Sequence, residues 1–388
     1  MEREFRKNNN IVIAVYSHPE FYPPTLNAIG QLAKQFDNVY VISRNVLISE
    51  WDYPSNVKLI KTGNFISIRQ SEKKNIIYKT ISFLSFTLNL YKLIILKRPC
   101  LIHICDNIPL FSVFLIHKLI SKEIKLWYHN HDVADLSLNR NFSIGWFASK
   151  YEDFMFPKID IFTLPSTERE RYFPINLLKG NYYFLPNYPA KHFYNKFVNS
   201  NKHLEHEIKL IYQGSIGPGH GLEEIISILG VKIRDKIVTL HLKGFISENY
   251  KLELIKCAEL NLVKKQLFFY PVTAYQDVPK LASTCHIGIA IHTGTDIMNS
   301  TLGTSSNKIY EYAALGLPVL LYDNKHFRDT LSQYNWASFS NLEKENLINC
   351  ILIIDENYKI KSKMAIDTFQ NSLNFEKYFE IIKLKEIE

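Results

Sequence analysis

Residues 208–224 read IKLIYQGSIGPGHGLEE. The apolar run Ile208–Gln213 predicts a buried strand. Glycines follow at 214, 217, 219 and 221, and a helix is expected near Leu222–Leu229. Glycines after a strand let backbone approach a ligand closely, and a helix start favours an anion. The stretch matches neither the Walker A pattern nor G-x-G-x-x-G. On its residues alone it is equally a phosphate loop or a plain tight turn.

The same strand–helix alternation extends in both directions. Upstream strands are expected at Ile11–Tyr16, Val39–Ser43, Leu101–Ile104, Lys125–His129 and Ile159–Leu164, with helices at Thr25–Phe36 and Ile76–Leu96. Downstream strands are expected at Val238–Lys243, Leu267–Tyr270, Ile287–Ile291 and Pro318–Tyr322, with a helix at Asn307–Leu315 and a helical tail from Glu343. Apolar runs without polar alternation suit strands covered on both faces, and their spacing implies βαβ units. Tyr182–Glu207, polar and interrupted by prolines, reads as a linker, centred on 186–206. At 388 residues two domains are the natural division. The expected fold class is therefore α/β, two doubly wound Rossmann-like domains, with ligands beyond the carboxyl ends of the strands.

Composition narrows the class. Apolar residues make up 46% and charged residues 22%, which excludes a disordered or coiled-coil chain. Five cysteines (100, 105, 257, 285, 350) form no C-x-x-C pair, as suits a reducing compartment and not a zinc site. The start, MEREFRKNNN, resembles no signal or transit peptide, and a cytoplasmic location is expected. Ile76–Leu96 is the longest apolar stretch, but Lys79, Asn89 and Lys92 interrupt it, so a buried or surface-lying helix is expected rather than a membrane span. Net charge is +8, and its distribution matters. Residues 1–190 carry 23 Lys/Arg and 16 Asp/Glu, whereas 191–388 carry 23 and 22. Such a basic half suits an anionic lipid surface or a phosphorylated substrate, and is equally a solvated surface of no special meaning; no recognition motif supports nucleic acid.

A second chemical signal is SSNKIYEYAALGLPV (305–319). Ser305 or Ser306 can cap a helix starting at Asn307, whose free N–H groups and Lys308 can hold a diphosphate. Glu311 follows about one turn on, and spacing alone makes it merely a residue that suits the helix dipole. Strand-end groups in the first half are His129, His131, Asp106, Asp132 and Asp135. His129 and His131 alternate along a strand, so their side chains are expected on opposite sides. No metal set is expected from H-N-H-D-x-x-D, and no D-x-D segment occurs.

The run NKIYEYAALGLPVLL resembles the signature of retaining GT-B glycosyltransferases of the "glycosyl transferases group 1" (family 4-like) kind. Other stretches resemble further family motifs in the family's order: KRPCLIHICD, LWYHNHD, IDIFTLPSTERE, FLPNYP and LIYQGSIGPGHGLEE. The resemblance spans about residues 11–350. It implies a GT-B fold whose domains face each other across a cleft. Residues 1–190 would be the acceptor domain and 191–365 the nucleotide-sugar donor domain. Residues 366–388 would form a C-terminal helix packing back on the first domain.

It also implies roles. Glu311 would bind the ribose hydroxyls of a nucleotide sugar. Ser306, Asn307 and Lys308 would hold the diphosphate, with Gly214, Ser215, His220 and Gly221 lining its phosphate side. Gly244, Phe245 and Val272 would lie near the base, and His131 would stand at the transferred sugar. Catalysis would rest on His131, Lys308 and Glu311, with no metal and no cofactor beyond the nucleoside diphosphate sugar co-substrate. The acceptor would be a glycan or lipid-linked molecule, in cell-surface polysaccharide synthesis such as lipopolysaccharide or capsule. The basic first domain would touch an anionic membrane peripherally.

This chain departs from the family pattern in three places. The first carboxylate of E-x7-E is replaced by Gly303, the Arg/Lys pair of the donor loop by Ser215 and His220, and the N-terminal glycine loop by SHPEFYPP. Two other readings share the architecture: a nucleotide-sugar 2-epimerase, and a binder that never turns its ligand over.

Overall fold

The computed structural model describes residues 9–133, 141–199, 202, 205–294, 296, 299–382 and 384. The chain divides into two units, Met1–Pro186 with Tyr378–Glu388, and Asn187–Lys377.

The first unit is built on a parallel sheet of β1 (Asn10–Val15), β2 (Asn38–Arg44), β3 (Val57–Thr62), β4 (Leu101–Cys105), β5 (Lys125–His129), β6 (Ile161–Leu164) and β7 (Asn181–Phe184). Its strand order is β3-β2-β1-β4-β5-β6-β7. The order reverses between β1 and β4, which run in register from Ile11 opposite Leu101 to Val15 opposite Cys105. Helices Pro23–Leu32, Ile76–Lys97, Asn107–Ile116 and Ile144–Tyr151 cover it. Val12, Ala14, Ile42, Ile102, Ile104, Tyr128 and Phe162 are buried between sheet and helices, as uninterrupted apolar strands require.

The second unit repeats the plan with β8 (Glu207–Ile216), β9 (Ile237–Ile246), β10 (Leu267–Tyr270), β11 (Ile287–Ala290), β12 (Val319–Tyr322) and β13 (Ala337–Ser340), in the order β10-β9-β8-β11-β12-β13. Here the order reverses between β8 and β11, with Ile287 opposite Leu210. In such sheets ligands bind beyond the strand ends at the reversal.

The sequence reading missed β3, β7 and β13. All three lie at sheet edges, where one side is open and the apolar signal thins: Lys58 and Lys61 interrupt β3, and β7 sits inside the expected linker. The domain division also differs from the expected boundaries. The first unit ends at Pro186 rather than 190, and the segment that returns to it starts at Tyr378 rather than 366. Helix Tyr358–Asn371 belongs to the second unit, where Ala365 and Phe369 are fully buried and Lys361 Nζ donates to Asn335. Only beyond it does Tyr378 meet Phe184 edge-on at 5.5 Å, and Phe379 reach Trp127 at 5.8 Å.

Candidate functional site

At the β8/β11 reversal, β8 runs three residues past its expected end, so Gly214 and Ser215 are strand residues rather than loop. Gly214 stands opposite Gly244 on β9, both with positive φ. A Cβ on Gly244 would fall 1.9 Å from the Gly214 carbonyl oxygen, so close strand approach demands glycine at 244, whereas at 214 it is the positive φ that favours it. Beyond β8 the chain turns through Gly217–Gly221 into helix Leu222–Ile228. Within the turn the Gly217 N–H donates to His220 Nδ1 at 3.2 Å, which leaves Nε2 as the proton-bearing nitrogen of the neutral ring. The His220 ring lies 4.9 Å from that of Tyr212 and 5.0 Å from that of His292, two residues past β11.

Helix Asn307–Ala314 brings in the other groups. A Cβ on Gly288 would sit 2.2 Å from the Tyr312 ring, so glycine in β11 is what allows the helix to lie this close to the sheet. Ser306 occupies the N-cap, but contrary to expectation neither serine caps the helix: Ser306 makes no capping bond and Ser305 Oγ donates to Thr301 O. The turn before the helix is instead pinned by Asn187. Its backbone N–H donates to Thr304 O at 3.2 Å, and its Nδ2 donates to Ser305 O at 2.8 Å. FLPNYP thus has a definite task in the second unit.

Lys308 Nζ donates to Tyr212 Oη at 2.7 Å and would lie 3.6 Å from a Cβ on Gly214. Glu311 is buried. Its Oε2 accepts from Gln213 Nε2 at 2.7 Å, and its Oε1 accepts from Tyr275 Oη at 3.2 Å. Tyr275 in turn meets Tyr194 Oη at 3.3 Å and stacks on Phe193. Burial pushes Lys308 down to about 7 against the attraction of Glu311. Burial likewise raises Glu311, although Tyr194, Tyr275, Gln213 and Lys308 all oppose the shift. Each charge is thus held at a cost that an incoming ligand can relieve. His220 is pushed down to about 4 and His292 to about 2, first by burial and next by the Lys308 charge.

Gly214, His220, Lys308 and Glu311 are thus gathered around the end of β8, with Ser215 and Gly221 flanking them. Phe245 and Val272 are exposed, near the ends of β9 and β10. Gly303, in the position of the absent carboxylate, has no room for one: a Cβ there would fall 2.6 Å from Thr330 Oγ1. Sequence reasoning missed His292, Gln213, Tyr194 and Tyr275. A signal for His292 existed, since it directly follows the strand IGIAI. The tyrosines come from the supposed linker and an unpatterned loop, so only the fold unites them with Glu311.

In the first unit the strand-end groups also converge. Asp106 follows β4 with φ +70° and ψ 171°, a backbone conformation rare for a residue with a side chain. Its Oδ1 accepts from the His131 N–H at 2.7 Å and lies 3.1 Å from His131 Nδ1, while His131 Nε2 meets Thr25 Oγ1 at 3.0 Å. Burial pulls His131 down, but the Asp106 and Asp132 carboxylates prevail and hold it above the usual histidine value. Contrary to the alternation argument, the His129 and His131 rings touch, with centroids 4.4 Å apart. β5 ends at His129, and Asp106 draws the following residues out of strand geometry. Asp135 lies outside the described residues. Among those described, no group of three or more His, Cys, Asp or Glu side chains is arranged for a metal ion.

No protein-family model and no curated protein matches the sequence. Solved structures do match its fold. A sucrose-phosphate synthase from Thermosynechococcus elongatus superposes with a TM-score of 0.69 at 11% identity, covering 97% of this chain and 98% of its own. A glycosyltransferase from Rickettsia africae gives 0.67 at 14% identity, over 97% and 99%. Anabaena HepE, solved in complex with UDP, gives 0.63 at 12% identity, over 97% and 99%. The chain has the two-domain α/β fold of the GT-B glycosyltransferases.

Proposed function

We propose that this protein is a glycosyltransferase that moves a sugar from a nucleoside diphosphate sugar to a glycan or lipid-linked acceptor, with retention and without a metal. The observation that carries the reading is the gathering of Gly214, His220, Lys308 and Glu311 at the β8/β11 reversal, where this fold class holds its ligands. The acceptor hydroxyl attacks the anomeric carbon on the face that the diphosphate leaves. The bond from carbon to phosphate oxygen breaks, and the departing phosphate takes the acceptor proton. The main demand is stabilisation of charge on the leaving diphosphate. Lys308, the His220 Nε2–H and the first N–H groups of helix Asn307–Ala314 are this chain's means of meeting it. Glu311 binds the ribose, exchanging its bond from Tyr275 for one from a ribose hydroxyl. His131, oriented by Asp106, is the group assigned to the transferred sugar. The chain works in the cytoplasm, its first unit in peripheral contact with an anionic membrane, in cell-surface polysaccharide synthesis.

The test is turnover of UDP-, GDP- and ADP-linked sugars in EDTA with a bacterial lipid and glycan extract as acceptor. The expected result is release of one nucleoside diphosphate with the sugar covalently transferred, reduced at least about 100-fold in Glu311→Ala. An epimerised sugar, or binding without turnover, would overturn the transferase reading.

A further inference from the structure

The donor seat holds three groups able to carry positive charge, and they are packed against one another. Lys308 Nζ lies over the Tyr212 ring, 4.0 Å from its centroid. His220 packs on the same ring, and His292 stands edge-on to His220. Glu311 is the one acid among the described residues that acts on Lys308, and its two oxygens already accept from Gln213 and Tyr275. His292 Nε2 is buried and has no hydrogen-bond partner among the described residues. A buried polar atom left unpaired is costly unless a ligand completes it. Ser215 and His220 stand at this end of β8, and among the described residues no permanently charged side chain acts on Lys308 besides Glu311.

We propose that nucleoside diphosphate sugar binding is coupled to proton uptake from solvent by Lys308 and His292, while His220 serves as a neutral donor. The inference rests on the donor reading above. The three groups divide the work by geometry. His220 Nδ1 already accepts the Gly217 N–H, so charging that ring would break a bond that shapes the glycine turn. Its Nε2–H is available without a further proton. His292 has no such commitment at Nε2. Desolvation disfavours the Lys308 ammonium, and His220 and His292 add no negative charge beside it; the Tyr212 ring face and Glu311 oppose this only in part until an anion arrives. A diphosphate supplies the missing counter-charge to Lys308 and His292 and an acceptor for the neutral His220 Nε2–H. The free site thus avoids the cost of buried unpaired cations, and the bound site gains them. The burial-driven depressions of Lys308 and His292 agree with this geometry.

A nucleotide sugar is a suitable probe because its diphosphate is esterified at both ends and does not titrate near neutrality. UDP-glucose, GDP-mannose and ADP-glucose are titrated calorimetrically into the full chain at pH 8 in HEPES and in Tris, whose ionisation heats differ. The expected result for the sugar that binds is a buffer-dependent heat corresponding to uptake of about one proton, with affinity weakening up to about tenfold per pH unit from 7.5 to 9. At pH 6.5 a further uptake is expected, lost in His292→Asn. Its melting temperature without ligand is compared with wild type to establish folding. Binding with the same heat in both buffers would overturn this proposal and leave the transferase reading intact. Binding of none of the three would overturn both.

Discussion

Lys308 and Glu311 lie one turn apart on one helix, Lys308 half-buried and Glu311 buried, and desolvation works against the charge of each. For Lys308 the folded value, about 7, lies below the ordinary lysine value of 10.5. Folding therefore opposes protonation, and the stability this group permits at high pH is lost progressively as pH falls from 10.5 to about 7, and no further below that. Lys308→Met should relieve that penalty. Its melting temperature without ligand is expected to rise relative to wild type, more at pH 6 than at pH 9, by an amount worth about 3 kcal/mol between the two. Donor binding should fall in the same variant, which would separate a functional lysine from a structural one. A melting temperature lowered equally at both pH values would make Lys308 a packing residue. At this scale the sequence was informative only in part. Lys308 and Glu311 stand in a quotable motif, but Tyr194, Tyr275 and His292 come from distant segments. Single side chains carry no mark of which partners the chain will bring to them.

Among the elements, helix Ile76–Lys97 needs an explanation beyond packing. Phe83, Phe86, Leu90, Leu93 and Ile94 are buried on its inner face. Ile77, Ile81, Leu84, Leu88 and Ile95, at helical spacing, are exposed on another, with Ile77 66% and Ile81 62% accessible. The helix is long and apolar enough to cross a membrane by length and composition, and a third of its most apolar window lies inside the fold. From Lys73 to Arg98 there are six cationic residues and no acid. Apolar side chains add interfacial affinity, and each cation near an anionic surface contributes about 1 kcal/mol. The protein is expected to float with phosphatidylcholine vesicles containing phosphatidylglycerol, less with phosphatidylcholine alone, and less at high salt. Replacing Ile77, Ile81 and Leu88 by Gln should abolish flotation without lowering the melting temperature. Unchanged flotation of that variant would refute the assignment. The helix was legible in sequence because it is long and periodic. Strands β3, β7 and β13 were not, because Lys58, Lys61, Asn181, Ser338 and Ser340 break their apolar runs, whereas the edge strand β10 keeps the run LFFY.

Over the whole molecule, the two doubly wound units were legible from the alternation of apolar runs and helices, since parallel strands covered on both faces cannot hide their character. The unit boundaries were less so. The chain leaves the first unit through β7 and returns at Tyr378, and neither event has a composition shift to announce it. The proposed function requires the second unit to hold a nucleoside diphosphate sugar at the end of β8. Thermal melting of wild type and Glu311→Ala with UDP-, GDP- and ADP-sugars in EDTA tests it most directly. A ligand at about 100 times its dissociation constant stabilises the folded state by about 2.7 kcal/mol. One nucleotide family is expected to raise the wild-type melting temperature by several degrees and to leave Glu311→Ala unmoved. No shift with any of them, or an equal shift in the variant, would contradict the site.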